Sequence, residues 1–256
     1  MSLKKKLQND ELTIGSWLSF GYPPIAEMMA KVGYEWLVVD MEHTGIATNE
    51  MFQMIQVIEL SGCAPLVRVG ANDALLIKRA MDSGAHGVIV PMVCTADDAK
   101  MAVDSIYYPP RGSRGVGLSR AQDYGLGFER YKAWAEEETV LIAQIEHYRA
   151  AECIDEILAV DGIDGFIIGP YDLSGSLGHP GNFEHPDVVA CLDRVTSAMK
   201  QSPKAGGVHV VMPDEDLLRR RVGEGYSFIA YGDDMVFLAE KLRDDSAIVT
   251  ELLNNG

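Results

Sequence analysis

Among side chains able to do acid–base chemistry, Asp40, Glu42 and His43 draw attention because they directly follow the apolar run WLVV. Asp40 lies three residues before His43, close enough to accept one imidazole N–H and raise the basicity of the other nitrogen. That arrangement prepares a general base near neutral pH. Glu42 either shares the face of Asp40 or pairs locally. Gln144 and Glu146 end the run TVLIAQIE two residues apart, so the strand period points both to one side. A buried carboxylate there needs a donor or a cation. A hard divalent ion such as Mg²⁺ or Mn²⁺, shared between Glu146 and Asp172, is the best candidate. Arg68 sits inside the apolar LVRVG, where it requires an anion, either a substrate carboxylate or enolate oxygen or one of these acids. Taken singly, each acid has a plainer reading as a helix cap or solvated carboxylate, and His43 as a structural histidine. Their coincidence at the ends of apolar runs favours a site.

The elements that must position these groups recur along the chain. Eight short apolar or β-branched runs begin near Thr13, Glu35, Ala64, Gly87, Thr139, Gly165, Ala205 and Ser227. Between them, segments such as IAEMMAKVG, NEMFQMIQVIEL and DALLIKRAMDSG repeat apolar residues at three and four. Eight alternations predict an α/β fold, a (β/α)8 TIM barrel spanning residues 1–256 as one domain, with function at the C-terminal ends of the strands. An open doubly wound sheet is the structural alternative. Two connections are long: residues 107–126, rich in Gly, Pro and Arg, and residues 169–182, GPYDLSGSLGHPGN, both expected to be functional loops. Arg111, Arg114 and Arg120 cluster in the first without neighbouring acids, which suggests anion recognition or a subunit contact. His86, His179 and His185 read as turn or surface residues, while His209 is within reach of the mouth.

Composition narrows the function. The 256 residues are 47% hydrophobic, enough for a large core, and the formal charge of −16 argues against a nucleic-acid or anionic-membrane partner. Cys63, Cys94, Cys153 and Cys191 form no CxxC pair and read as reduced, buried thiols of a cytoplasmic protein. The N-terminal MSLKKKLQNDEL has no apolar stretch after its lysines and does not read as a signal peptide. A Schiff-base mechanism lacks a lysine near the mouth. GSRGVG from Gly112 is not a dinucleotide fingerprint, no Walker sequence is present, and SGSLG from Ser174 lacks the first glycine of a nucleophile elbow.

The ordered set GSWLSF, DMEH at 40–43, LVRV with Asn72 and Asp73 shortly after, VPMV, YPPRGSRGVG, AQIE, DGFIIGPYDLSGSLG and FIAYG closely resembles the HpcH/HpaI family of metal-dependent pyruvate aldolases. The resemblance spans essentially the whole chain. It implies a hexameric barrel that cleaves a 4-hydroxy-2-oxo acid to pyruvate and an aldehyde with a divalent ion, Mg²⁺ foremost, or Mn²⁺ or Co²⁺. It implies Glu146 and Asp172 as metal ligands and His43 as the base, oriented by Asp40. Arg68 would hold pyruvate and stabilise its enolate, with Gln144, Tyr171 and Asp172 contacting substrate. Asp82 matches an acid that reaches a neighbouring subunit's site and supports the histidine. The chain departs from the family pattern at His147, Tyr171, His209 and Asp233, positions that bear on specificity more than on reaction class. Oxaloacetate decarboxylation and an acyl-CoA lyase reaction are the enzymatic alternatives, the latter needing the loop arginines for its phosphates. A binding barrel with a decayed site would have no reason to keep so many costly buried charges.

Overall fold

Each apolar run alternates between two buried faces, the pattern of a parallel strand covered on both sides. A computed structural model, which describes residues 1–254, folds them as β1 (Thr13–Leu18), β2 (Trp36–Asp40), β3 (Ala64–Arg68), β4 (Gly87–Val90), β5 (Val140–Ile145), β6 (Gly165–Ile168), β7 (Ala205–Val210) and β8 (Phe228–Asp233). Neighbours pair in parallel in chain order and β8 returns to β1, closing a (β/α)8 barrel and excluding the open sheet.

The helices are α1 (Leu3–Gln8), α2 (Pro23–Lys31), α3 (Thr48–Leu60), α4 (Ala74–Asp82), α5 (Ala96–Ile106), α6 (Phe128–Glu138), α7 (Tyr148–Glu152), α8 (Ile154–Leu158), α9 (Pro170–Ser176), α10 (Pro186–Gln201), α11 (Glu215–Gly223) and α12 (Asp234–Asn254). Among the described residues no helix is long and apolar enough to cross a membrane.

The alternation sorts the core into two. Leu37, Val39, Val67, Leu141 and Phe166 pack in the larger layer with helical side chains. Trp36, Val38, Leu66, Ile142, Ile167 and Phe228 form a separate cluster on the opposite strand face, inside the barrel. A Cβ on Gly15 would lie 2.0 Å from the Trp36 ring, so this position must be glycine for the indole to lie across the barrel and stack on Phe228, with ring centres 4.1 Å apart.

At the N-terminal end of the strands, α1 closes the barrel. Leu7 is fully buried in the inner cluster, and Lys4 is no solvated tail residue. Its ammonium lies 3.1 Å from Asp164 and donates to Thr139 C=O at 2.7 Å and Tyr107 Oη at 3.1 Å.

Three expectations need correction. Residues 170–176 are helical rather than loop, because Pro170 sets the first turn and the Gly–Ser content does not prevent seven residues from continuing it. Only Cys63 is buried, its thiol pushed up to about 12 by that burial, while Cys94, Cys153 and Cys191 are partly exposed; all four are unpaired. The loop arginines do not form a free anion site. Arg111 meets Glu136 at 3.2 Å and lies over the Tyr107 ring, Arg120 pairs with Glu59, and Arg114 is buried over Tyr108 and donates to Tyr131 Oη at 3.1 Å. These acids come from distant parts of the chain, which local sequence does not reveal. Arg120 also donates to the carbonyl of Ser83, just past the C-terminus of α4, so this loop packs at the end of the barrel opposite the strand C-termini.

Candidate active site

The two-residue period carries each inward-facing column from apolar to polar as it climbs the barrel. Trp36 and Val38 lead to Asp40, Leu66 to Arg68, and Val140 and Ile142 to Gln144 and Glu146. Register places Asp40 beside Arg68 on neighbouring strands. The two meet as a fork: Arg68 Nε donates to Asp40 Oδ1 at 2.9 Å and Nη2 to Oδ2 at 2.6 Å. The same carboxylate accepts the backbone N–H groups of Glu42 at 3.0 Å and His43 at 3.4 Å. Burial would raise the Asp40 carboxyl, but the Arg68 bonds and charge, with these two amides, outweigh it and hold the group below the usual carboxylate range.

The expected contact between Asp40 and the His43 ring is therefore not made, because the carboxylate oxygens are already engaged. The imidazole lies instead near Glu42, Nε2 to Oε2 3.6 Å, with more than half of the His43 side chain exposed at the rim. Glu42 also approaches Arg68 Nε at 3.3 Å, and its Oε2 is buried without a hydrogen bond. Burial pushes its carboxyl up, Arg68 opposes this and Glu146 adds to it. The sequence leaves the direction of Glu42 open; it faces both His43 and Arg68.

Across the mouth, the Gln144 amide donates to Glu146 Oε2, while its Oε1 accepts from Arg68 at 3.5 Å. Glu146 Oε1 accepts the Met92 N–H at 2.7 Å. Met92 holds φ at +54°, a conformation uncommon outside glycine, and this backbone contact has no signature in the sequence. Gly169 admits the Glu146 side chain, since a Cβ there would lie 2.9 Å from Glu146 Cβ. Burial raises the Glu146 carboxyl despite the Gln144 and Met92 bonds, and Asp172 adds repulsion. Asp172 sits in the first turn of α9, with Tyr171 beside it exposed and packed edge-on against Phe183.

A cavity of about 240 Å³ opens beside these groups, lined by His43, Arg68, Gln144 and Asp172 with Trp17, Gly169, Tyr171 and His209, while Asp40, Glu42 and Glu146 lie behind its lining. Trp17, not singled out from sequence, places its ring 4.4 Å from the Arg68 guanidinium. Its position two residues after Gly15 on an inward column was the available signal. His209 does line the mouth. His147 turns away as the cap of α7, its Nδ1 accepting the Arg149 N–H at 3.2 Å, and Asp233 accepts Ser19 Oγ at 2.7 Å. Asp82 is not brought to this cavity. It ends α4, its Oδ1 buried and unpartnered, with burial raising its carboxyl against Arg114 and Lys78. His179 and His185, stacked at 3.4 Å, form with Asp187 a group of potential ligand atoms within 4.8 Å at the N-terminus of α10, outside the lining of this cavity.

A closed parallel barrel with acids and an arginine at the C-terminal ends of its strands is the frame of a barrel enzyme. Residues 13–240 match the HpcH/HpaI aldolase/citrate lyase family, and the chain belongs to it. It is 37% identical over 240 residues to the 2-keto-3-deoxy-L-rhamnonate aldolase of Escherichia coli O17:K52:H18, covering 93% of this chain and 89% of that one. The crystal structure of a family protein from Burkholderia cenocepacia J2315 superposes with a TM-score of 0.90 at 35% identity, covering 97% and 98% of the two chains. That of an HpcH/HpaI aldolase from Desulfitobacterium hafniense DCB-2 gives 0.88 at 31%, covering 98% and 97%. The chain is thus an enzyme, a carbon–carbon lyase of the class II pyruvate aldolases.

Proposed function

We propose that the mouth binds pyruvate at Arg68 and a divalent cation, Mg²⁺ foremost, at Glu146 and Asp172, with His43 moving the proton of the aldehyde-derived hydroxyl. One observation carries the reading. Asp40, Glu42 and Glu146 draw on a single guanidinium, and Asp172, more exposed, adds repulsion to Glu146, leaving negative charge that Arg68 does not balance. The proposed donors, Glu146 and Asp172, are carboxylate oxygens, which suit a hard divalent ion. Such an ion supplies Lewis-acid stabilisation where charge develops on the keto oxygen.

The protein's own groups do the rest. Asp40 fixes the Arg68 fork, so that its remaining N–H groups are preorganised for a carboxylate or enolate oxygen. Gln144 bridges Arg68 and Glu146 and keeps the two from collapsing into a direct ion pair. His43, at the rim beside Glu42, exchanges its proton with the hydroxyl and with solvent. The cavity is smaller than the roughly 300–1,000 Å³ of drug-sized ligand sites, which suits pyruvate and a small aldehyde. An acyl-CoA substrate loses its support, because the arginines needed for its phosphates pack at the other end of the barrel.

The proposal extends to a homo-hexamer, as the resemblance implies. Leu242, Ile248, Val249, Leu252 and Leu253 of α12 are exposed, an apolar surface that a neighbouring subunit would cover. Asp82 would act only across such an interface. The chemistry is tested by exchange of the pyruvate methyl protons in D2O, followed by NMR. Exchange that needs Mg²⁺ or Mn²⁺ and stops with excess chelator is expected; no exchange with any divalent ion would sink the reading.

A further inference from the structure

Outside the mouth, one cluster of side chains has ligand chemistry that the proposed reaction does not use: His179 and His185 in the connection from α9 to α10, and Asp187 in the first turn of α10. One ring nitrogen of each histidine and a carboxylate oxygen lie within 4.8 Å of one another. The backbone brings them together. Gly178 and Gly181, at φ +81° and +75°, turn the chain on either side of His179. The His179 N–H donates to Ser174 C=O at 2.9 Å, its own C=O accepts the Asn182 N–H at 3.0 Å, and Asn182 C=O accepts the His185 N–H at 3.3 Å. The two imidazoles are stacked with centres 3.4 Å apart and planes 19° from parallel, closer than the roughly 4.5–7 Å usual for aromatic pairs.

Local structure accounts for only part of this cluster. His185 caps α10, its Nδ1 accepting the Asp187 N–H at 3.3 Å, and an acid in the first turn suits the helix dipole. Among the described residues no hydrogen bond holds the His179 ring, and capping gives it no task. The Asp187 carboxylate is exposed, with Oδ2 3.7 Å from His185 Nδ1. Imidazole lone pairs lie in the ring plane, so ligation requires one of the part-exposed rings to turn about its side-chain bonds until both point at a common ion. Two imidazoles and a carboxylate, with water in the fourth position, form a ligand set of tetrahedral Zn²⁺. Nitrogen donors select against hard Mg²⁺. Position gives such an ion a structural use: Phe183, between the two histidines, packs edge-on against Tyr171 of the cavity wall, with ring centres 5.0 Å apart.

We propose that His179, His185 and Asp187 form a Zn²⁺ site that fastens the α9–α10 connection and, through Phe183, braces Tyr171. It stands apart from the ion proposed at Glu146 and Asp172, and the test removes that ion's ligands first. Zn²⁺ alone would be titrated by calorimetry into the metal-stripped Glu146→Gln, Asp172→Asn double variant, and Co²⁺ into a second sample for its visible spectrum. One equivalent of Zn²⁺ is expected to bind with micromolar or tighter affinity, unmoved by millimolar Mg²⁺, and Co²⁺ to show the absorption of a tetrahedral site. Adding His179→Ala or His185→Asn should weaken Zn²⁺ binding by at least about 10–100-fold, the loss that removing even an outer partner of a metal ligand brings. Asparagine keeps the helix cap, so that loss is read in a folded chain. Zn²⁺ should raise Tm in the double variant and leave it unchanged once either histidine is replaced. Binding only at millimolar Zn²⁺, or an equivalent that both histidine variants retain, overturns the site, and neither result bears on the aldolase reading.

Discussion

Asp40→Asn examines what organises the mouth. The Asp40 and Arg68 side chains are 5% and 13% exposed and joined by two charge-assisted bonds. Breaking a buried ion pair by removing one partner costs about 3–5 kcal/mol. Asparagine keeps one acceptor for the guanidinium or for the Glu42 and His43 amides, so the expected loss is about 2–3 kcal/mol. At roughly 2–4 °C per kcal/mol for a chain of this size, Tm should fall by about 5–10 °C at neutral pH. Asp40 is depressed by Arg68 in the fold, so its contribution is complete above the ordinary carboxylate range, about pH 4, and is lost as the pH falls through the lower folded value. The gap between wild type and variant should therefore hold from pH 8 to about 5 and close only in stronger acid. Thermal melts of D40N, R68M, H43A and the two double variants containing D40N measure the couplings. About 2 kcal/mol is expected between Asp40 and Arg68, and under about 0.5 kcal/mol between Asp40 and His43. A D40N melt indistinguishable from wild type, or a larger coupling to His43 than to Arg68, would refute the reasoning.

Three further outcomes are expected. His43→Ala should lower turnover by about 10²–10⁴, the usual worth of general acid–base catalysis, and Glu146→Gln should lower it by at least as much. Neither should reduce Tm appreciably, since His43 is exposed and the amide removes a buried charge; near-wild-type kinetics in either variant would remove its assigned role. Lys4→Met should cost about 3–5 kcal/mol in urea unfolding by stranding buried Asp164, with much of it recovered in the Lys4→Met, Asp164→Asn double variant, so a loss under about 1 kcal/mol would contradict the plug. Sedimentation should find six subunits, and a monomer with full activity would exclude the assembly.

The barrel was legible because each strand is a short apolar run ending in turn or polar residues, and each helix repeats at three and four. Residues that lie along one strand were legible too: Gln144 and Glu146 share a face because alternation is local. What sequence did not reveal depends on register or on distant contacts. Asp40 and Arg68 are 28 residues apart and become partners only when β2 aligns with β3, so the carboxylate assigned to His43 belongs to the guanidinium. The arginines of the 107–126 loop looked free because Glu59, Glu136 and Asp161 come from other elements. The short α9 escaped notice because its glycine and two serines carry weak helix propensity, and its packing at the end of β6 is tertiary.

The two ends of the barrel argue for the location of function without any appeal to relatives. At the N-terminal end a buried charge meets its match: Lys4 faces Asp164, and its remaining donors reach Thr139 and Tyr107. At the C-terminal end Asp40, Glu42 and Glu146 share one arginine, Glu42 Oε2 approaches it without a hydrogen bond, and Met92 adopts a backbone conformation uncommon for its type to donate to Glu146. Buried charge in excess of its partners is among the costlier features a core can carry. The imbalance sits where the inner columns change from apolar to polar, and the cation proposed for Glu146 and Asp172 would supply the positive charge that Arg68 alone does not. On this view the mouth is unsatisfied by itself because its ligands complete it.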